Sequence, residues 1–245
     1  MATEYNPKIV TDNLVLCLDA ASTESDSTTM KDLIGNNDAT NIGSTFVAAT
    51  SNNPAYYSLD GSNDYLQISS PPNSIIQFGT DPYTVELWFN IYYDDQLATI
   101  IDTRNNSSAI SSNWRSVWSG KQGNPESTIS RKLNFGTIDQ SNNFWGYSTR
   151  FDSNQYNGWM QVVFTREGTG QSQQKMYWDG GYVYSDMDSS DYDVAADDLD
   201  IGRDSRLDHA WFKGYIAIVR IYNGKALTAA EIKQNYNAHK GRFGL

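Results

Sequence analysis

Six glutamates are where a search for hydrolytic chemistry has to start. Cleaving a glycosidic bond needs two carboxyl groups facing each other across it, about 5–5.5 Å apart for retention and wider for inversion. The glutamates stand at positions 4, 24, 86, 126, 167 and 231, each isolated in sequence. Glu86 alone lies in a convincing strand, next but one to Trp88. Two roles are open to it: an acid on a saccharide-binding face, or a structural carboxylate paired with a strand arginine such as Arg220. A lone acid cannot perform two-carboxylate hydrolysis, so the structural role is the expected one. The two histidines add little: His209 sits in a polar stretch, and His239 lies near a helix end, where a cation suits the helix dipole. There is no Gly-x-Ser-x-Gly elbow, no Cys/His pairing and no phosphate-cradling glycine loop with its lysine. No enzymatic activity is expected.

Metal binding is the next chemistry to test, because hard cations such as Ca²⁺ need several oxygens brought together. Asp60, Asn63 and Asp64 crowd one turn. They suit either a structural Ca²⁺ or a strand end followed by a turn shaped by Asx hydrogen bonds. The loop carrying Asp186, Asp188, Asp191 and Asp193 is denser in acid, yet lacks the glycine and bidentate glutamate of an EF-hand. It reads as a solvated acidic loop. No cofactor is required by anything in the sequence.

Aromatic residues are the remaining signal, with seven Trp and 16 Tyr. Sugar rings stack on exposed aromatic faces, and Asn, Asp and Arg supply hydrogen bonds at their edges. Trp114, Trp118, Trp145 and Tyr147 lie in polar surroundings, with Asn113, Arg115 and Asn143 beside them. As a group they form the candidate ligand-binding face, although any single tryptophan of a β-sandwich is more often a core residue. Exposed aromatics would equally suit an interface between copies of the chain.

Strands must position these residues. Tyr83–Ile91 alternates cleanly: Tyr83, Val85, Leu87, Phe89 and Ile91 point one way, and Thr84, Glu86, Trp88 and Asn90 the other. Phe212–Tyr222 is apolar on both sides, which predicts a strand covered on both faces. Simple alternation would put Tyr215, Ala217, Val219 and Ile221 together, opposite Ile216, Ile218, Arg220 and Tyr222. Asn223-Gly224 ends the strand, and Thr228 begins a helix as N-cap, with Glu231 completing a capping box and Leu227 stapled to Ile232. Many short strands, regular turn signals and one terminal helix predict an all-β antiparallel sandwich forming one domain over residues 1–245, with residues 1–12 as an arm.

Bulk properties narrow the partners. A net charge of −11 disfavours nucleic acid and anionic membranes, and no stretch is apolar enough to span a bilayer. The one cysteine, Cys17, excludes an intrachain disulfide and reads as a small buried hydrophobe. The start, MATEYNPKIV, lacks the basic and apolar regions of a secretory signal.

The closing segment GYIAIVRIYNGKALTAAEI (214–232) resembles the end of laminin-G-like, concanavalin A-type jelly rolls. LVLCLDA (14–20), DLIGNNDAT (32–40), YYSLDGSNDYLQI (56–68), YTVELWFN (83–90), WMQVVFTREG (159–168) and KMYWDGGYV (175–183) follow the same family in order. The resemblance covers nearly the whole chain and implies a jelly-roll β-sandwich with one short C-terminal helix. It also implies that Asp60–Asp64 stands where family members carry a similar Asp-Gly-x-x-Asp. Laminarinase-like relatives carry Glu-x-Asp-x-x-Glu on one strand, and this sequence has no such run. The fold hosts lectins, glucanases, adhesion modules and virion proteins alike. The short basic-aromatic end HKGRFGL is similar to the ends of such domains in marine phage structural proteins. The expected protein is therefore a non-catalytic virion surface component of a bacteriophage, in the head decoration or the tail. It would be assembled in the host cytoplasm among other capsid or tail proteins and would touch glycans. A secreted carbohydrate-binding or adhesion module and a glucanase-type hydrolase stand as the alternatives.

Overall fold

A computed structural model describes residues 8–92, 97–103, 114–119, 132–138, 144–150, 158–186, 198–204 and 210–245. Its first strands are β1 (Leu14–Asp19), β2 (Thr29–Met30), β3 (Ala39–Ile42), β4 (Thr45–Val47), β5 (Tyr56–Asp60) and β6 (Tyr65–Ser69). A single helical turn, α1 (Asn73–Ile76), precedes β7 (Tyr83–Ile91), β8 (Leu97–Asp102), β9 (Arg115–Ser119), β10 (Lys132–Ile138) and β11 (Phe144–Arg150). The chain continues through β12 (Met160–Arg166), β13 (Gln174–Trp178), β14 (Gly181–Asp186), β15 (Asp198–Ile201) and β16 (Lys213–Asn223). It closes with helix α2 (Ala229–His239) and a short 3₁₀ turn, Lys240–Phe243.

The strands form two antiparallel sheets. Sheet A runs β14-β13-β12-β7-β16-β5-β4, and sheet B runs β11-β10-β9-β8-β15-β6-β3-β2. The long β16 is the spine of sheet A. One edge pairs with β7 along its length, while the other is shared between β5 at the start of the strand and β1 at the end. The expected antiparallel sandwich with a terminal helix is the architecture observed.

The main core lies between the sheets and holds the inward faces of β7, β12 and β16. Val85, Leu87 and Phe89 meet Val162, Phe164, Ile216, Val219 and Ile221 there, together with Leu66, Ile101 and Ile201 of sheet B. The alternation read for β7 is therefore correct. That read for β16 is correct only for its second half. Ile216 pairs with Phe89 and Ile218 with Trp88, so Ala217 is an extra residue and the strand bulges there. A bulge reverses which side chains face which way. Ile216 consequently joins Val219 and Ile221 in the core, and Tyr215 turns to the outer face. Gly214, three residues earlier, has no room for a side chain: its φ is +153°, and a Cβ there would lie 2.2 Å from the Asn90 carbonyl oxygen.

Helix α2 lies on the outer face of sheet A. Its start is fixed by the expected capping box, in which the Glu231 N–H donates to the Thr228 hydroxyl and the Thr228 N–H donates to the Glu231 carboxylate. Leu227 and Ile232 pack with Val163, Tyr177 and Tyr222 of the sheet. Further along, Tyr236 and Phe243 pack on Trp88 and Ile218. The helix thus covers the outer face of the second half of β16 and leaves that of its first half uncovered.

Candidate functional site

Beneath α2, Glu86 is the hub of a buried polar constellation. Its Oε1 accepts hydrogen bonds from Trp88 Nε1 (2.8 Å), Gln161 Nε2 (2.9 Å) and Arg220 Nη1 (2.9 Å). Its Oε2 accepts one from Asn235 Nδ2 (2.8 Å), a residue of α2. Glu86 is 0% and Arg220 1% exposed, so the pair is sealed from solvent. Burial pushes the Glu86 carboxyl up, but Arg220 and these hydrogen bonds outweigh it and hold the group below its ordinary value. Burial likewise works against the Arg220 charge, and Glu86 outweighs it.

The constellation reaches further. Asn235 Oδ1 accepts from the Val10 N–H, and the Tyr222 hydroxyl donates to the Val10 carbonyl, which ties the segment before β1 to the helix. Arg220 Nη2 lies against His239 Nε2. Because guanidinium only donates, the imidazole accepts there and is neutral. Burial and the neighbouring Arg220 lower the His239 pKa to about 4. His239 is thus a neutral ligand of arginine and not the dipole-stabilising cation that its place at the helix end suggested. Cys17 stands opposite Arg220 across the strands, buried as expected, with its thiol pKa raised by that burial. Of the two roles open to Glu86, the geometry supplies the structural one. A carboxylate at 0% exposure with four donors on it touches no substrate.

The residues singled out as a ligand-binding face are placed differently. Trp114, expected there, is a core residue: it is 0% exposed, stacks on Phe78 and Phe135, and donates from Nε1 to the Ile76 carbonyl. Its indole has no open face. The backbone sets Trp118 opposite Leu133, Tyr147 opposite Phe135, Arg115 opposite Gly136 and Trp145 opposite Thr137. Asn113 and Asn143 lie outside the described residues, as do His209, Asp188, Asp191 and Asp193. Asp186 ends β14.

The candidate metal turn is organised by its own backbone. Asp64 Oδ2 accepts from the Asp60 N–H (3.0 Å), and Asp60 Oδ1 accepts from the Ser62 N–H (2.7 Å). Burial raises the Asp64 pKa, opposed by that hydrogen bond. The Asp60–Ser62 bond is an Asx turn, and the Asp64 bond closes the turn back onto the end of β5. Among the described residues, no group of three or more His, Cys, Asp or Glu side chains is placed to hold a metal ion.

A cleft of about 500 Å³ opens elsewhere, on the outer face of sheet A beyond the end of α2. One wall is the loop 49–54 between β4 and β5; the other is the closing turn with Arg242, Phe243 and Gly244, and Trp159 also lines it. The loop is folded on itself, since the Thr50 hydroxyl accepts from the Asn52 and Asn53 N–H groups, and both asparagines are exposed. Trp159 stands just ahead of β12, in contact with Phe243 (4.9 Å between ring centroids), Tyr56 (5.7 Å) and Tyr215 (6.1 Å). Tyr56 and Tyr215 are 4.3 Å apart, and Tyr215 meets Tyr92 at 5.2 Å. The Tyr92 and Tyr215 hydroxyls hydrogen-bond to each other, and that bond, reinforced by burial, raises Tyr215 to about 12. Ser58 and Asn90 flank Tyr215 on the neighbouring strands. Arg242 is the one charged residue of the cleft lining; its Nη1 donates to Asp19 Oδ2 at 2.9 Å, and its Nη2 lies 2.7 Å from Asp19 Oδ1 as an ion pair.

These residues were not singled out from sequence. Tyr215 reaches the outer face only because of the bulge at Ala217, and a bulge has no reliable sequence signal. Trp159 beside Asn157-Gly158, and the polar run Thr50–Asn53, were the usable hints.

Comparison with known proteins places the fold. No curated protein matches the sequence. Among solved structures, the binding domain of botulinum neurotoxin serotype D/C superposes with a TM-score of 0.66 at 16% identity over 92% of this chain and 52% of that one. The binding domain of neurotoxin DC in complex with rat synaptotagmin II gives 0.65 at 16%, over 93% and 52%. The same type of domain in complex with SialylT gives 0.62 at 15%, over 93% and 52%. The chain therefore spans about half the length of these structures, and at such identity the likeness concerns the fold. The family model of the concanavalin A-like lectin/glucanases superfamily, in its laminin-G type, matches residues 60–233. With an antiparallel jelly roll on the page and a family match across most of its length, this chain belongs to that superfamily.

Proposed function

We propose that the chain is a non-catalytic binding module that takes carbohydrate in the cleft between the loop 49–54 and the closing turn. One observation carries this reading: the partly exposed indole of Trp159, backed by Tyr56 and Tyr215, lines one concave site with the exposed neutral amides of Asn52 and Asn53. Apolar sugar faces stack on such rings, and their hydroxyls need donors and acceptors of this kind at the rim. The cleft also falls within the volume usual for small-ligand sites, about 300–1,000 Å³. The superfamily contains lectins as well as glucanases. The non-catalytic part of the proposal rests on Glu86, whose carboxylate is spent on Arg220 beneath the helix.

A glycan array with the full chain tests the proposal, with Trp159→Ala as the control. Glycan binding that the substitution abolishes is expected; binding indifferent to Trp159 overturns the site. Release of sugar from laminarin, lost in Glu86→Gln, would restore the glucanase alternative. The setting we propose is the surface of a bacteriophage particle, supported by the resemblance of the closing segment to such domains. Mass spectrometry of purified particles is its test, and a chain found only in a soluble secretome would reject it.

A further inference from the structure

Two tyrosines on the open half of sheet A touch through their hydroxyls. Tyr215 lies on β16 opposite Asn90 of β7, and Tyr92 follows β7 with its N–H bonded to the Lys213 carbonyl. The two residues are therefore diagonal neighbours on hydrogen-bonded strands, where aromatic side chains reach each other. Their ring centroids are 5.2 Å apart at 79°, and the two hydroxyls hydrogen-bond to each other. Tyr215 is held from behind by Tyr56 at 4.3 Å and Trp159 at 6.1 Å, while Tyr92 is 48% exposed. Neither ring of the pair lines the cleft, so its chemistry is independent of the carbohydrate reading.

Contact between phenol oxygens has a chemical consequence. Phenoxyl radicals couple at the carbons ortho to oxygen, and in the coupled product the two hydroxyls stand side by side across the new bond. Tyr92 and Tyr215 already have their hydroxyls together in this way, and the steep angle suits a biaryl, whose rings are twisted about their link. A second pair in the molecule lacks this arrangement. Tyr177 and Tyr182 are 5.9 Å apart at 77°, but the Tyr182 hydroxyl donates to Ser185 and Tyr177 is buried. With Cys17 as its one cysteine, the chain has no disulfide of its own, and a tyrosine link would join its strands covalently by another route.

We propose that Tyr92 and Tyr215 form an oxidative cross-linking site, at which a peroxidase-class oxidant using hydrogen peroxide joins them as dityrosine and staples the end of β7 to β16. Each phenol gives up one electron and its hydroxyl proton. The two ortho carbons then form the new bond, and the hydrogen that each carried moves to the oxygen of its own ring, which restores both phenols. One hydrogen peroxide takes up the two electrons and two protons and leaves as two waters.

Treatment of the dilute full chain with a peroxidase and hydrogen peroxide tests this. The expected product is a monomer lighter by two hydrogens, with dityrosine fluorescence and a proteolytic fragment that joins the peptide of Tyr92 to that of Tyr215. Tyr92→Phe, which removes one hydroxyl from an exposed ring, should abolish that fragment, and Tyr215→Phe should do the same. Dityrosine found only in covalent dimers, a link formed through Tyr56 or Tyr182 instead, or an undiminished yield in Tyr92→Phe would overturn the site. So would the absence of any intramolecular link once the peroxide has been consumed.

Discussion

The outer face of sheet A is divided by one bulge into two halves with opposite characters. Past Ala217, β16 turns Ile218, Arg220 and Tyr222 outward, and α2 closes over them. Before Ala217 the outward residue is Tyr215, and helix cover ends short of it. The covered half had to solve a solvation problem: a carboxylate, a guanidinium, an amide and a phenol are removed from water, with a half-buried imidazole beside them. Each charge is paired with another group, because an unpaired charge there would cost several kcal/mol, and only the Arg220 Nε is left without a hydrogen bond. The open half faces the reverse situation. Its rings are only partly covered: Tyr56, Trp159 and Tyr215 are half-buried against one another and Tyr92 is exposed. Polar groups in concentrated array therefore mark the scaffold of this molecule, and the less covered aromatic groups lie where the proposed binding site is.

If that division is right, substitutions in the covered half change stability and those in the open half change binding. The largest effect is expected from Glu86→Ala, which strands Arg220 without its counter-charge. Loss of one partner of a buried pair costs about 3–5 kcal/mol. Urea unfolding should show the midpoint collapse, while whatever fraction remains folded binds glycan normally. A variant that kept its midpoint yet lost glycan binding would break the comparison at its root.

Acid gives the next largest effect. The His239 pKa in the folded protein, about 4, lies below the ordinary 6.5. Between those two values the unfolded chain binds the extra proton, so stability falls as pH drops from about 6.5 to about 4 and His239 contributes no further change below that. The loss is at most about 3 kcal/mol. Glu86, held below its ordinary 4.5, acts in the same direction at the acid end, where its stabilisation is lost as pH falls. His239→Gln separates them: its stability should vary less than the parent's between pH 6.5 and 4, and equally below. Because His239 leads directly into the turn that walls the cleft, the same titration shows whether damage to one half reaches the other.

Much of the covered half could be read in the chain. Alternation placed Glu86 and Trp88 on one side of β7, charge suggested Arg220 as partner, and Thr228 with Glu231 announced the helix. Those signals are local: period-two patterning and capping spacing operate within a few residues. The open half depends on what is not local. Tyr215, Tyr56, Tyr92 and Trp159 come from four separated segments, and an inserted residue at Ala217 sets their common face. Trp114 shows the converse failure. Its polar neighbours in sequence suggested exposure, but the rings that enclose it, Phe78 and Phe135, come from other segments of the chain.

Trp159→Ala should come third. Removing the indole of the cleft lining should weaken glycan binding by about tenfold, equivalent to roughly 1.4 kcal/mol, with a smaller loss of stability because the ring is only half-buried. An unfolding midpoint lowered as far as that of Glu86→Ala would mean that the indole belongs to the core.

The smallest effect is expected at the far end of α2. Thr228→Ala removes the hydroxyl that receives the Glu231 N–H and leaves the first turn of the helix uncapped, at a cost of about 1 kcal/mol. The cap lies at the opposite end of the helix from the cleft wall, which begins only at Gly241. Calorimetry should therefore find a modestly lower melting temperature and an unchanged glycan affinity. Weaker binding in this variant would show that α2 transmits strain along its length to the closing turn. The two halves would then be one cooperative unit, and the loop 49–54 and Trp159 could not be treated as a site merely standing on a scaffold.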